Sequence, residues 1–412
     1  MSVQNPSGMA TLARLLRGRG KGLAVEPKPA APALLLQDVQ RILRTGWAET
    51  PRRVLLPGYA TSTFRESASL LDRLQPAGRP DLVMAYSIKT NPSPALLGLA
   101  RDAGLWAEAI AQSEVTHAVG LGFPPEQIVL NGPGKWWLAP VKTPRYGAIF
   151  CDSLQELRML RPRLSSGDLV ADYVGLRLRP ATVNSRFGIG LHEPAVLAEA
   201  VALLKRLPRR QGLGFHFHIA SSLFGVRTWH SLAENFLAAV GLLCDRLRGR
   251  PVVVSFGGGW HPDDWSDFLR GEFRQLVTAC RRQLPMVRRI ILEPGKALSQ
   301  RSMCLLTHVI EVRRSRTRTE LVVDASVAEL PDVRSHPHRI ASLGPSGRLA
   351  LWGTGPDRVL GRLCMEFDIL SDSVQAPKTV RQGDLLAYLD AGAYDASMAY
   401  SFGSGGLPLT LG

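Results

Sequence analysis

The fold is decided by the stretch Asp81–Pro92, which reads DLVMAYSIKTNP. Its first residues are apolar enough to form a buried strand. The Asn-Pro pair cannot continue that strand, because proline removes a backbone donor and restricts the residue before it. Lys89 is therefore predicted at the C-terminal end of a strand, where parallel α/β barrels place their catalytic groups. Burial there would lower the pKa of the lysine and make it an amine nucleophile; a lysine that only reaches from a strand end into solvent is the structural alternative.

Three later strand patterns also end in residues suited to binding an anion or a charged ring. Val252–Phe256 is followed by GGG, and successive glycines let a phosphate approach the backbone. Ile290–Leu292 is followed by EPGK, which puts a carboxylate at the strand end and a cation behind it. Leu386–Leu389 is followed by DAGAY, whose phenol can donate to a phosphate oxygen.

Apolar strands alternate with amphipathic helical patterns through residues 82–293. This alternation favours a parallel sheet, and near eight units in roughly 240 residues predict a closed (β/α)₈ barrel. The predicted strands are 82–88, 105–110, 127–131, 147–151, 172–179, 213–219, 251–256 and 289–293.

The strand pattern changes after Pro294, where strands follow one another with few helices between them. This predicts a second, mainly β domain. The expected division is a partly mobile N-terminal extension at 1–50 that contributes to the β domain, a cofactor-binding barrel at 51–298 and the β domain at 299–412. Val54–Pro57 is expected to form a short strand that opens the barrel.

Composition indicates a globular enzyme of the cytoplasm. The 412 residues are 45% hydrophobic and 21% charged, which is ordinary for a soluble enzyme. No apolar run reaches the roughly 18 residues that span a bilayer, and the start has no signal-peptide pattern. The five cysteines form no C-x-x-C pair, so neither a disulfide framework nor a zinc site is expected.

The net charge of +15 has several readings. A genome that uses arginine in place of lysine is the plainest explanation. An anionic substrate, an acidic carrier protein or nucleic acid would also suit a basic surface. Since no zinc-finger, helix-turn-helix or RNA-binding pattern accompanies the charge, we expect no nucleic-acid partner.

Taken in chain order, these segments resemble the ornithine, diaminopimelate and arginine decarboxylases, which are fold-type III pyridoxal-phosphate enzymes with an alanine-racemase-like barrel. The resemblance covers roughly residues 52–410. Three positions depart from the family pattern: Glu108 replaces Asp, Ala220 replaces Gly and Lys296 replaces Arg. The matching motifs are Y-x-x-K-x-N-P at Tyr86–Pro92, G-L-x-x-D-V-A-S-x-x-E at Gly104–Glu114, G-P-x-K at Gly132–Lys135, H-F-H-I-G-S at His216–Ser221, G-G-G at Gly257–Gly259, E-P-G-R at Glu293–Lys296, C-x-x-x-D at Cys364–Asp368 and G-A-Y at Gly392–Tyr394.

The resemblance implies a role for each residue around the cofactor, pyridoxal 5′-phosphate. Lys89 would bind it covalently, and His218 would stack on its ring, while His216 is interpreted as a core histidine. Glu293 would keep the ring nitrogen protonated, as decarboxylation requires. Alanine racemases of the same fold carry arginine there; a salt bridge from Glu293 to Lys296 is the structural alternative. The phosphate would be held by Ser221, Gly258, Gly259, Gly295, Lys296 and Tyr394.

The resemblance also implies a shared active site. Cys364 would protonate the α-carbon after CO₂ leaves, and it would reach across the interface of a homodimer. A buried structural thiol is the alternative for a free cysteine.

Substrate choice is where the chain departs from its family. Lysine, ornithine and diaminopimelate enzymes place an acidic residue directly after this cysteine, where it grips the distal amino group of the substrate. Here that position is Met365, with Glu366 next and Asp368 closing the motif, and we expect these three residues to bind substrate. An ammonium buried against methionine would be costly.

The substrate hypothesis is therefore a derivatised or anionic amino acid, joined to citrate or to an acidic carrier protein, as in secondary-metabolite and siderophore decarboxylases. The alternatives are a diaminopimelate- or ornithine-type decarboxylase of primary metabolism, an amino-acid racemase or epimerase of the same fold, and a non-catalytic homologue that serves as an interaction partner.

Overall fold

The computed structural model describes residues 31–138, 144–220, 225–247 and 249–402. It contains a closed barrel of eight strands and a separate eight-stranded sheet. Most of the predicted mobile start lies outside the described residues. None of the described helices is long and apolar enough to cross a membrane.

The elements follow one another in the order that the sequence pattern predicts for a barrel and then a β domain. The helices are α1 Ala33–Thr45, α2 Pro57–Leu74, α3 Pro94–Asp102, α4 Gln112–Gly120, α5 Leu154–Ser166, α6 Pro194–Lys205, α7 Val226–Arg246, α8 Pro262–Phe268, α9 Arg274–Gln283 and α10 Lys296–Ser299. The strands are β1 Arg52–Leu55, β2 Asp81–Ser87, β3 Trp106–Ala109, β4 Ile128–Leu130, β5 Arg145–Cys151, β6 Val170–Arg177, β7 Gly212–His216, β8 Val252–Ser255, β9 Val287–Leu292, β10 Met303–Arg314, β11 Thr319–Val323, β12 Ile340–Leu343, β13 Leu349–Leu351, β14 Gly353–Leu360, β15 Ile369–Gln375 and β16 Leu385–Tyr388.

Strands β2 to β9 pair in chain order, all parallel, and β9 returns to β2 to close the barrel. The predicted (β/α)₈ barrel is thus confirmed. Its strands are apolar on both faces, because helices cover the outside and side chains fill the inside. Strands β6 and β7 approach each other closely at Gly175, where no side chain fits. A Cβ on Gly175 would lie 1.7 Å from the carbonyl oxygen of Gly214 on β7. All eight carboxyl ends therefore meet at one mouth.

The second domain is a mainly antiparallel sheet in the order β13-β12-β16-β10-β11-β14-β15. Its core is apolar and includes Leu305, Leu321, Val359 and Leu386. The predicted β domain is confirmed as an architecture. After the barrel, the first strand of this sheet begins at Met303.

The prediction that Val54–Pro57 opens the barrel was wrong. Strand β1 pairs antiparallel with β10 of the β domain, with Val54 opposite Cys304. The physical reason is that the barrel is closed. Each of the strands β2 to β9 pairs on both edges, so the barrel has no free edge for another strand. Strand β10 of the β domain still offers backbone donors and acceptors with which β1 can pair.

Candidate active site

Lys89 lies in the turn that follows β2, and its amine contacts a carboxylate. Its Nζ donates to Oε2 of Glu108 at 2.5 Å, and the hydroxyl of Ser87 donates to the same oxygen at 2.5 Å. Glu108 is fully buried on β3, and its Oε1 has no hydrogen-bond partner among the described residues. Because a buried acceptor without a donor costs free energy, this oxygen is suited to accept a donor from a bound molecule.

The contact with Glu108 reverses the acid–base expectation for Lys89. The sequence predicts that burial lowers the pKa of this lysine. Burial acts in that direction, but the attraction to Glu108 outweighs it, so the pKa of Lys89 is raised. That prediction was wrong, and its consequence is chemical: Lys89 must pass a proton to another group before its amine can react, and Glu108 is the group in contact.

A second carboxylate, Glu114 of α4, lies near this pair. Burial raises the pKa of Glu114 to about 7, opposed by the hydrogen bond from the Ile110 backbone and reinforced by the charge of Glu108. That N–H group donates to Oε2 of Glu114 at 2.7 Å. Glu114 therefore exchanges a proton near neutral pH beside the Lys89–Glu108 pair.

Glu293 follows β9 and is buried among hydrogen-bond donors. The hydroxyl of Ser255 donates to its Oε1 at 2.6 Å, while Nδ2 of Asn131 donates to Oε2 at 2.8 Å and Nε2 of His216 lies 3.1 Å from Oε2. Burial would raise the pKa of Glu293, but the hydrogen bonds from His216 and Ser255 outweigh it and lower the pKa. Glu293 is thus a buried anion.

The two histidines of β7 and its extension both approach this anion. Burial lowers the pKa of His216, so its neutral ring donates Nε2–H to Glu293, and its Nδ1 has no partner among the described residues. Burial, together with nearby cations, lowers the pKa of His218 well below its ordinary value. Nδ1 of His218 accepts the Gly258 N–H at 3.0 Å. His216 is buried, as a core histidine would be, but its contact with Glu293 also makes it part of the site.

The predicted phosphate-binding segments are shaped by close approach. A Cβ on Gly258 would lie 2.2 Å from the carbonyl oxygen of Glu293, and one on Gly295 would lie 2.0 Å from Oγ1 of Thr90. Side chains are excluded at both positions, which lets an anion reach the backbone. Gly259 has a φ of 98°, a conformation that favours glycine. Ser221, also predicted to bind phosphate, lies outside the described residues.

Lys296 follows this glycine segment and is buried. Burial lowers the pKa of Lys296 to about 8, against the opposing attraction of Asp332, Asp390 and Asp395 of the β domain. An anion bound beside the ammonium would restore its charge. Lys296 therefore suits the phosphate role that the resemblance implies, without the two-pronged geometry of arginine.

Tyr394 comes to the barrel mouth from the β domain. Its backbone N–H donates at 2.8 Å to the carbonyl oxygen of Thr90, the residue after Lys89. Asn91 reinforces this junction, since its Nδ2 donates to the Gly392 carbonyl at 2.9 Å. The structure thus brings the predicted phosphate-binding tyrosine and the predicted cofactor-binding lysine together.

Arg177, at the end of β6, is a site residue that the sequence interpretation missed. Its Nη2 donates to the His218 carbonyl at 3.2 Å, its Nη1 lies 3.6 Å from Oδ1 of Asp152, and its guanidinium lies 4.8 Å from the ring centre of Phe187. Burial lowers the pKa of Arg177, and the charges of Asp152, Glu293 and Glu108 oppose this. The available signal was the one that identified Lys89: a polar residue that ends an apolar strand. Asn131 and Ser255 were missed in the same way.

Cys364 is not brought to this site within the chain. It is exposed on the loop between β14 and β15, followed by the half-buried Met365 and the exposed Glu366. Asp368 is buried, and its two carboxylate oxygens accept the backbone N–H groups of Val327 and Leu363 at 2.8 and 2.7 Å. Asp368 therefore shapes the loop and ties it to Val327, and its predicted contact with substrate stays a prediction.

The assembled donor set fits pyridoxal phosphate. Lys89 offers an amine for its aldehyde, and the glycine segments with Lys296 suit its phosphate. Glu293 is an anion whose direct contacts, among the described residues, are neutral donors, and a protonated ring nitrogen would supply the missing positive charge. The donor atoms of His216, His218 and Glu293 lie within 4.8 Å of one another and could also hold a metal ion, but an ion would use neither Lys89 nor the glycine segments.

Comparisons with known proteins agree with this donor set. The family model described as pyridoxal-dependent decarboxylase, pyridoxal binding domain, matches residues 65–300, more than half of the chain. The diaminopimelate decarboxylase of Zymomonas mobilis is 28% identical over 386 residues, covering 86% of this chain and 85% of the relative. That of Bacteroides thetaiotaomicron is 25% identical over 378 residues, covering 85% and 93%.

Solved structures share the fold. Diaminopimelate decarboxylase from M. jannaschii, in complex with L-lysine, matches with a TM-score of 0.75 and 20% identity over 90% of this chain and 89% of that one. Arginine decarboxylase of Paramecium bursaria Chlorella virus, bound to agmatine, matches with a TM-score of 0.67 and 19% identity over 88% and 96%. The chain therefore belongs to the family of pyridoxal-dependent decarboxylases, and its cofactor is pyridoxal 5′-phosphate.

Proposed function

We propose that this amino-acid decarboxylase acts on a substrate whose distal end is anionic, such as an amino acid joined to citrate or to an acidic carrier protein. The observation that carries the proposal is the composition of the Cys364 loop. Met365 follows the cysteine directly, and a methionine cannot accept the charge-assisted hydrogen bond that a distal ammonium requires.

A cation lies on the same loop surface. The guanidinium of the exposed Arg334 lies 5.2 Å from the ring centre of Phe367, and among the ion pairs of the described residues it has no acidic partner. A guanidinium binds a carboxylate through two parallel hydrogen bonds. The loop and the adjacent Arg334 therefore offer a thiol, an apolar side chain and a cation, which suits a substrate that ends in a carboxylate.

The roles within the barrel follow from the contacts. The cofactor, when bound, supplies an electron sink for loss of CO₂ at the α-carbon. Lys89 holds the cofactor, Glu108 exchanges the proton of Lys89, and Glu293 keeps the ring nitrogen protonated. His218 packs beside the ring. The phosphate is held by Gly258, Gly259, Gly295, Lys296 and Tyr394.

Cys364 is assigned to the site of a second copy of the chain. A proton donor must come within hydrogen-bond reach of the α-carbon, yet no described contact joins Cys364 to the barrel mouth of its own chain. A two-fold dimer would present each loop to the partner's barrel and complete two equivalent sites. All five cysteines lie within the described residues and are unpaired, which supports a reducing, cytoplasmic setting.

A free diamino acid is the second candidate substrate. It is favoured by Glu366, an exposed carboxylate one residue beyond the expected position, and by the two curated relatives, which are named diaminopimelate decarboxylases.

Release of CO₂ from a substrate panel separates the candidates. The panel contains lysine, ornithine and diaminopimelate, each free and as its citrate conjugate. We expect a conjugate to have the higher kcat/KM, and Arg334→Ala to lower kcat/KM for conjugates while leaving free amino acids unchanged. The proposal fails if the wild-type enzyme decarboxylates a free diamino acid with an ordinary kcat/KM, on the order of 10⁴ M⁻¹s⁻¹ or above, and Glu366→Gln abolishes that activity.

A further inference from the structure

His338 is a buried histidine whose two ring nitrogens both face oxygen atoms. Its Nδ1 lies 2.7 Å from the carbonyl oxygen of His336, and its Nε2 lies 2.7 Å from Oδ2 of Asp395. A neutral imidazole carries one N–H, whereas a carbonyl oxygen can only accept. Both contacts are hydrogen bonds when the ring carries both protons and Asp395 is ionised. The side chains of this pair are 1% and 0% exposed.

Asp395 directly follows Tyr394, so the pair acts on the residue that reaches the cofactor site. Oδ1 of Asp395 accepts the Asp332 N–H at 3.0 Å, and its carbonyl oxygen accepts from Nη2 of Arg53 at 3.1 Å. The carbonyl oxygen and both carboxylate oxygens of Asp395 thus tie the chain beside Tyr394 to the β domain.

The neighbouring residue, Arg339, holds the other end of the same segment. Its Nε donates to Oδ2 of Asp390 at 2.7 Å, and its Nη2 donates to Oδ1 at 2.5 Å. Two consecutive residues, His338 and Arg339, therefore hold the two aspartates that bracket the segment Asp390–Asp395. We call this arrangement the aspartate clamp.

The segment needs such support, because its backbone is unfavourable at both ends. Asp390 and Tyr394 have φ angles of 65° and 69°, in the left-handed region that side chains other than glycine seldom adopt. Conformations of this kind persist only where the surroundings hold them. The position of Tyr394 beside Thr90 and Lys89 therefore depends on contacts that the tyrosine itself does not make.

We propose that protonated His338, paired with Asp395, is a positioning residue that holds Tyr394 in place over the cofactor phosphate. This inference rests on the proposed phosphate role of Tyr394. The pair explains why a histidine in the β domain, with no contact to the cofactor site, is buried with a charge.

The charged groups around His338 define how the clamp responds to pH. Burial would lower the pKa of His338, but Asp395, then Asp390 and the His336 carbonyl, raise it above its ordinary value. The contribution of the clamp is therefore complete below the ordinary histidine pKa of about 6.5 and is lost as pH rises through the raised value. The other charged or titratable groups packed around this segment include Arg53, Lys296, Arg301, Asp332, His336 and Arg339.

The test measures the affinity of the cofactor-depleted protein for pyridoxal 5′-phosphate and for pyridoxal, which lacks the phosphate, between pH 6 and pH 9. We expect His338→Gln to weaken pyridoxal phosphate by about ten- to a hundredfold at pH 6, the range for one hydrogen bond to a charged group, and to leave pyridoxal unchanged. Asp395→Asn should have a similar effect, and the double variant should lose no more than either single variant. His192→Gln, an exposed histidine on another loop, is the matched control.

The outcomes distinguish failure of the aspartate clamp from failure of the proposed phosphate role of Tyr394. If Tyr394→Phe weakens pyridoxal phosphate but His338→Gln does not, the clamp is overturned and the phosphate role of Tyr394 stands. If Tyr394→Phe has no effect, the assignment of Tyr394 fails first. A merely structural His338 would weaken both ligands equally. Should His338→Gln fail to fold, the wild-type and Asp395→Asn pH profiles decide: the ratio of wild-type to Asp395→Asn affinity must fall as His338 loses its proton, because any decline that comes from Lys296 is common to both proteins. A ratio that stays constant between pH 6 and pH 9 overturns the clamp.

Discussion

The barrel mouth and the Cys364 loop differ in how their reactive groups are held. At the mouth, Lys89, Glu108 and Glu293 are held in hydrogen bonds at the ends of parallel strands. On the loop, Cys364 and Glu366 are exposed, and the carboxylate of Asp368 accepts a backbone N–H group of the loop. The groups at the mouth contact one another within the chain, whereas Cys364 and Glu366 face solvent.

This difference assigns the two halves of the reaction to different parts of the fold. Parallel register brings the strand ends together wherever the barrel closes, so cofactor chemistry follows from the fold. A surface loop tolerates substitution, so substrate choice can change there without disturbing the barrel. The chain has Met365 where the family resemblance implies an acidic residue and keeps the implied lysine at Lys89, which is consistent with that division.

The largest expected effect is at the barrel mouth. Lys89→Ala should abolish the borohydride-reducible link to pyridoxal phosphate and lower kcat by roughly 10³- to 10⁶-fold, the scale seen when a covalent catalyst is removed. Absorbance of the linked cofactor and mass spectrometry after reduction measure this. The exposed Lys205, changed to Ala, is the control. A reducible link that persists in Lys89→Ala would show that another lysine binds the cofactor.

The next effect tests whether the loop serves a second chain. Cys364→Ala should lower kcat by about 10²- to 10⁴-fold, the range for a positioned proton donor. Mixing inactive Lys89→Ala and Cys364→Ala chains in equal amounts should then restore about a quarter of the sites, because a random two-fold dimer with shared sites regains one intact site per heterodimer. Activity that stays absent after verified subunit exchange would place Cys364 in its own chain's site or outside catalysis.

The barrel half of the site was predictable from the sequence because its evidence is local. Lys89 and Glu293 each end an apolar run and precede proline, and that pattern places a side chain at the mouth without knowledge of any other strand. Arg177 ends a strand in the same way, with Pro180 three residues later as Pro92 is three residues after Lys89, so the same local pattern could have identified it.

What could not be predicted depended on distances between separate segments. The raised pKa of Lys89 comes from Glu108, which is close only because β2 pairs with β3. The partner of β1 depended on which sheet kept an open edge. The two backbone contacts of Asp368 likewise follow from how the loop folds on Val327, and no spacing in the sequence encodes them.

A smaller effect is expected for substrate preference on the loop. Met365→Glu would restore an acceptor for a distal ammonium, so it should raise kcat/KM for lysine, ornithine or diaminopimelate relative to an anionic conjugate by about ten- to a hundredfold. Met365→Leu keeps the size and removes only the sulfur, and it should leave the ratio unchanged. An equal shift in both variants would mean that loop packing, rather than charge, sets the preference.

The smallest effect concerns Lys296, the cation proposed to bind the cofactor phosphate at the barrel mouth. Burial lowers its pKa to about 8, and a bound phosphate would raise that pKa, so binding takes up a proton above pH 8. Affinity for pyridoxal phosphate should therefore be highest below pH 8 and decline above it, by at most about tenfold per pH unit for one proton. In Lys296→Arg the guanidinium stays charged across this range, so the ratio of wild-type to variant affinity should fall between pH 8 and pH 10. Lys205→Arg, on an exposed helix face, should show no such change. If wild type and Lys296→Arg lose affinity in parallel, the phosphate is held by neutral donors such as Tyr394 and the glycine backbone, and Lys296 serves the acidic groups of the β domain instead.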